Sequence, residues 1–137
     1  MNNTIDPSVK FGENVKVGNH VVIEENVEIG DNVIIGHNVV IHAGSEIGSN
    51  IRIDDQTVIG KQPMKAVTSA TSDDKKQPPA KISDGCIIGT SVVVYSGCEI
   101  DEKCLVADLA TVRENVKIGN RTIVGRGVAI ENYCTIG

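Results

Sequence analysis

The chain has 137 residues and a formal net charge of −5 at neutral pH; that length suits one domain with a buried core, and the acidity argues against a general nucleic-acid binder. No apolar run approaches the ~20 residues needed to cross a bilayer, and the opening MNNTIDPSVK does not have the basic-then-apolar layout of a secretory leader. With one Phe, two Tyr and no Trp, the interior must be narrow, because an ordinary core draws heavily on aromatic rings.

From Phe11 onward an aliphatic residue returns every six positions: Val17, Ile23, Ile29, Ile35, Ile41, Ile47, Ile53 and Ile59. The beat pauses and resumes at Ile82, running through Ile88, Val94, Ile100, Val106, Val112, Ile118, Val124, Ile130 and Ile136. A second series, four residues after the first, is small or β-branched, as at Val15, Val21, Val39, Ser45, Thr57, Cys98 and Ala110. Two inward places two residues apart predict short strands with one buried face. The third residue after each aliphatic is often Asn or Gly, at Asn14, Asn26, Asn32, Asn38, Gly44, Asn50, Gly85, Gly97, Asn115 and Gly127. These types tolerate left-handed backbone and so mark turns. A period of six fits neither helical repeat. Strand and turn alternating at so short a period predict a parallel β-solenoid.

Between Ile59 and Ile82 the register breaks. The stretch KQPMKAVTSATSDDKKQPPAK, residues 61–81, contains Pro63, Pro78 and Pro79 and no alternation, so it reads as a long loop leaving one corner, of the kind that is functional or disordered. It holds Lys61, Lys65, Lys75, Lys76 and Lys81. A basic loop on an acidic chain suits a polyanion such as the phosphates of coenzyme A, and equally suits a plain solvated loop. All four cysteines, Cys86, Cys98, Cys104 and Cys134, fall at the small inward place and contain no C-x-x-C. They are expected as buried free thiols acting as small apolar groups, which fits a reducing, cytoplasmic setting.

The units resemble the hexapeptide repeat of the left-handed β-helix acyltransferases, an aliphatic residue followed by Gly, with a small residue at the fifth place. The resemblance covers residues 9–137 apart from the interruption. It implies an all-β, left-handed parallel β-helix with three hexapeptides per coil and about six coils: one domain over 1–137, with coils at 9–60 and 82–137 and the loop at 61–81. The left hand comes from the family, since the general rule for parallel crossovers favours the right. The phrases IGKQPM, VADLATVREN and IVGRGVAIENY are similar to the branch that N-acylates dTDP-linked amino sugars for surface polysaccharides. That likeness implies a homotrimer using acyl-CoA as co-substrate and a nucleotide sugar as acceptor, with no metal. Relatives continue past the point where this chain stops in mid-rhythm at CTIG, so further C-terminal coils carrying part of the site are expected.

With three units per coil, residues eighteen apart stack. If Ile82 takes the side following Ile59, the place after each aliphatic forms three columns. Gly12, Gly30 and Gly48 begin one, and Gly18 and Gly36 another; the third reads Glu24, His42, Gly60, Tyr95, Arg113 and Glu131. In this polar column His42 or Glu131 could take the proton of a sugar amine. Tyr95, Arg113 and Asn132, with Gln62, Pro63 and Met64 of the loop, could hold the sugar nucleotide, and Lys61 and Lys65 the acyl-CoA. A turn histidine satisfied by backbone is the competing reading of His42, and the departing thiolate could itself accept the proton. Two other readings remain. His37 and His42 have the H-x4-H spacing of hexapeptide-fold carbonic anhydrases, but His20 is too near to supply the third zinc ligand in that pattern. A non-enzymatic trimeric scaffold is the other.

Overall fold

The computed structural model describes residues 2–64, 66 and 76–137. Within them the chain forms twenty short parallel strands and no helix. Each strand pairs with the strands one coil away, so that Ile23 lies beside Ile41, Ile41 beside Ile59, and Ile59 beside Val94. Three sheets result. The first carries Ile5, Ile23, Ile41, Ile59, Val94, Val112 and Ile130; the second begins at Phe11 and ends at Ile136; the third runs from Val17 to Val124. The architecture is the expected parallel β-helix, consistent with the left-handed prism.

The stack is nearly seven coils, in sheets of seven, seven and six strands, where about six were expected. The beat extends one unit before Phe11, into the strand Thr4–Ile5, which pairs with Val22–Ile23. This unit escapes a hydrophobic reading because its second inward place is Asn3. The Asn3 amide accepts from Val21 N–H and donates to Gly18 C=O, both at 2.9 Å, tying down the lowest coil. Across the interruption the register is kept: Lys81–Ile82 pairs with Glu46–Ile47 below and Glu99–Ile100 above. Ile82 therefore does take the side following Ile59, and the three columns stand as read.

Both inward series line one continuous core, in which Ile23, Ile41, Ile59, Ile88 and Val94 are fully buried. Each such aliphatic side chain contributes roughly 1.5–3 kcal/mol by leaving water. Cys86, Cys98 and Cys104 are buried as expected, but Cys134 is exposed. It lies in the last coil, where no strand covers it. All ten turn positions marked by Asn or Gly have positive φ, and so do His20, Gln56, Ser91, Lys103, Leu109, Arg121 and Tyr133 at the same step. The coil geometry imposes the left-handed residue; Asn and Gly only accept it most cheaply.

Two of the three corners share a locking device. The Asp31 carboxylate reaches down one coil to accept from Glu13 N–H at 2.8 Å, and Ser49 and Asp84 do the same for Asp31 and Ser49. At the next corner His37 Nδ1 accepts from Asn19 N–H at 2.9 Å, while Asp55 and Asp108 cap His37 and Thr90. Each capped residue follows a glycine. A Cβ on Gly18 would lie 2.7 Å from His37 Nδ1, and one on Gly30 would lie 2.5 Å from Ser49 Oγ. The glycine makes room for the capping side chain of the coil above.

Candidate functional site

The third corner departs from that device, and this explains why histidine replaces glycine at position 42. Above His42 the chain bulges: the strand Val58–Lys61 shifts register between Ile59 and Lys61, and Gly60 takes φ +87°. Among the described residues no side chain descends there to cap, so a large side chain fits at His42. The N–H of Ala43 is capped from below instead. Glu24 Oε1 accepts from Ala43 N–H at 3.0 Å and lies 2.9 Å from His42 Nδ1. The hydrogen bond from His42 holds the Glu24 carboxyl below its ordinary range, helped by the bond from Ala43 and opposed by partial burial.

Gly60 leaves a gap in the polar column between His42 and Tyr95. Only glycine fits, because its backbone is left-handed and an added Cβ would lie 2.6 Å from Ser45 Oγ and 3.3 Å from His42 Cβ. The gap opens into a cleft of about 220 Å³ lined by Glu24, His42, Ala43, Gly60, Gln62, Lys76, Gln77 and Pro79. Its outer wall is a clasp between the two ends of the loop. Gln77 N–H donates to Gln62 Oε1 at 3.1 Å, Gln62 Nε2 donates back to Gln77 C=O at 3.4 Å, and Asn115 Nδ2 donates to Gln77 Oε1 at 2.8 Å. His42 Nε2 has no hydrogen-bond partner among the described residues.

Above the gap Tyr95 is buried between two cations, with Lys61 Nζ 5.6 Å and Arg113 Cζ 5.1 Å from its ring centre. Such contacts are attractive in a partly desolvated setting. Arg113 donates from Nε and Nη2 to the buried Glu114 carboxylate at 2.9 and 3.3 Å. Its third nitrogen lies 3.9 Å from Glu131, which is exposed, a surface pair that contributes little.

The structure thus brings His42, Gln62 and Gly60 together, and separately Lys61, Tyr95, Arg113 and Glu131. His42 and Glu131 are four strand steps apart on the first sheet, about 19 Å at the usual strand spacing, too far to serve one proton. Pro63 is half-buried, and Met64 and Asn132 are exposed; none of the three lines the cleft. Lys65 lies outside the described residues. Glu24, Glu114 and Gln77 were missed as site residues. Glu24 was legible in the polar column, one coil beneath His42; Gln77 and Glu114 act through contacts no spacing reveals. His37 and His42 do not share a centre, since the first caps Asn19 and the second faces Glu24. Among the described residues no three His, Cys, Asp or Glu side chains form a metal-ligand cluster.

Residues 26–61 match the family described as bacterial transferase hexapeptide (six repeats). No curated protein matches the chain in sequence. Among solved structures, a UDP-N-acetylglucosamine acyltransferase from Bacteroides fragilis superposes with TM-score 0.65 at 24% identity, over 99% of this chain and 66% of that one. A GDP-perosamine N-acetyltransferase from Caulobacter crescentus, in complex with CoA and GDP-perosamine, superposes with TM-score 0.52 at 17% identity, over 99% of this chain and 50% of its own. The chain therefore spans between half and two thirds of the length of these two structures. Residues 26–61 thus carry the hexapeptide repeat, and the whole chain has a parallel β-helix fold similar to that of these two solved acyltransferases.

Proposed function

We propose that the chain transfers an acyl group from acyl-CoA to the amino group of a nucleotide-linked, dTDP-type amino sugar, as a cytoplasmic homotrimer with its sites between neighbouring prisms. The observation that carries this reading is the Gly60 gap, a slot floored by an imidazole whose Nδ1 is engaged and whose Nε2 has no partner among the described residues. The neutral sugar amine attacks the thioester carbonyl carbon, the tetrahedral oxyanion collapses, and the C–S bond breaks to release CoA thiolate. His42 Nε2 takes the proton that the attacking nitrogen must lose. Lys61 and Lys76 at the ends of the loop, with Lys65 between them, supply positive charge for the phosphates of CoA. Arg113 and Tyr95 lie above the slot and suit the sugar nucleotide. Exposed Ile34, Ile87 and Ile123 on the outside of the third sheet offer apolar surface to a second copy. The CoA and GDP-perosamine bound to a protein of this fold support the choice of donor and acceptor classes.

The test is CoA release from acetyl-CoA across a panel of dTDP-linked amino sugars. Sugar-dependent release is expected, with His42→Ala lowering kcat by about 10²-fold or more. Absence of release with every sugar refutes the reading.

A further inference from the structure

We infer that Glu24 is the positioning residue of this site: it fixes His42 as the Nδ1–H tautomer and so presents the Nε2 lone pair to the cleft. The inference rests on the reading of His42 as proton acceptor, and its structural half can be decided without turnover.

The geometry comes from an exchange of roles at one corner. At the other two corners the residue after an aliphatic is glycine where a side chain from the coil above caps the next N–H. In the coil of His42 the N–H concerned belongs to Ala43, and its cap rises from the coil below. The same Glu24 oxygen that accepts from Ala43 also meets His42 Nδ1. A carboxylate held from one side by a rigid backbone N–H cannot swing away, so its position is set by the coil and not by the imidazole. Ionised, it has no proton to donate. The nitrogen facing it must therefore carry the hydrogen, and in a neutral imidazole the other nitrogen is then the acceptor. The lowered proton affinity of Glu24 agrees with an acceptor-only role.

His37, five residues earlier, shows the opposite assignment in the same fold. Its Nδ1 accepts from Asn19 N–H, which requires the hydrogen on Nε2. The two histidines provide an internal contrast: one tautomer serves a turn and the other faces the cleft.

The experiment is nitrogen-15 NMR of the imidazoles in the intact chain, above the pH at which they titrate, for wild type, Glu24→Ala and Glu24→Gln. In the wild type, His42 is expected as Nδ1–H and His37 as Nε2–H. Glu24→Ala should move His42 toward Nε2–H and leave His37 unchanged, while Glu24→Gln, whose amide oxygen can still accept from both donors, should keep the Nδ1–H form. A wild-type His42 found as Nε2–H, or an Nδ1–H form that survives Glu24→Ala, overturns the inference. With acetyl-CoA and the dTDP-amino-sugar panel, Glu24→Ala should lower kcat by about 10–100-fold, the range seen when a histidine loses an orienting partner, with KM for acetyl-CoA unchanged and most activity kept in Glu24→Gln. If the tautomer shifts as expected but kcat is unchanged in both Glu24→Ala and His42→Ala, the role of His42 in proton transfer is wrong and the positioning role falls with it. If wild type shows no turnover with any sugar, the proposed activity fails while the tautomer result still decides whether Glu24 orients His42.

Discussion

Adding one methyl group at Gly36 tests the link between glycine and the capping side chain. In Gly36→Ala the new Cβ would occupy the place of the Asp55 carboxylate oxygen that caps His37 N–H. The carboxylate must leave, and with it a hydrogen bond worth about 1 kcal/mol at an exposed site. The Cβ would also lie 2.9 Å from Asp55 N and 3.1 Å from Asp54 C, so the backbone must shift, at a further cost of roughly 1–2 kcal/mol. Against this, alanine loses less chain entropy than glycine by about 0.4–1 kcal/mol. The single variant should therefore lose roughly 1–2.5 kcal/mol. Asp55→Ala alone should lose about 1 kcal/mol. In the double variant the hydrogen bond is removed only once, so the combined loss should fall short of the sum by about 1 kcal/mol. Urea denaturation followed by circular dichroism, with equal slopes across the four proteins, measures this. Additivity within about 0.3–0.5 kcal/mol would refute the reasoning. Ala107 is a natural precedent: the coil above it has Arg126 in the capping place, and no side chain among the described residues caps Asp108 N–H.

Three further outcomes follow from the same coordinates. Burial pushes the Cys86 and Cys98 thiols up to about 11, and Cys104 is buried while Cys134 is exposed. A disulfide reagent at pH 8 should thus modify one of the four thiols quickly in the folded chain and all four in denaturant; rapid reaction of a second thiol would contradict the packing. Leu109 is an exposed leucine with φ +65°, a conformation that asparagine tolerates better, so Leu109→Asn should raise stability by about 0.5–1 kcal/mol in urea; a loss would show that its side chain packs favourably. Glu24 has a native proton affinity below its unfolded one, so the unfolded state protonates first on acidification. Its contribution is complete above the ordinary value of about 4.3 and is lost as pH falls through the depressed native value. Melting temperature should drop less steeply over that window in Glu24→Gln than in wild type, and parallel curves would remove Glu24 as a contributor.

Most of the fold was legible because a solenoid is nearly one-dimensional: each unit meets only its stacked neighbours, so a six-residue period carries the strand, the turn and the core place at once. The turn was readable where Asn or Gly marked it, but not at Lys103 or Tyr133, whose left-handed backbone the residue type gives no sign of. The first coil was not readable, because Asn3 holds it by hydrogen bonds where other coils use an aliphatic residue. At the site, the polar column could be listed from the period, with Glu24 directly beneath His42. The chain order could not show that Gly60 bulges, that Gln62 and Gln77 clasp across the loop, or that Arg113 turns to its neighbour Glu114.

The sequence by itself determined a parallel β-solenoid of repeated strands and turns, because repeated burial and repeated turns are local demands that every unit states again. Three units per coil came with the family resemblance, and the pairing of Ile82 fixed the columns across the interruption. Only the tertiary structure decided which members of the polar column act together. A proton moves over a hydrogen-bond distance, and strand stacking separates residues by about 4.8 Å per coil. Glu24 and His42 meet because they are one coil apart and the cap rises from below. His42 and Glu131 share a column but do not meet, because four coil steps separate them.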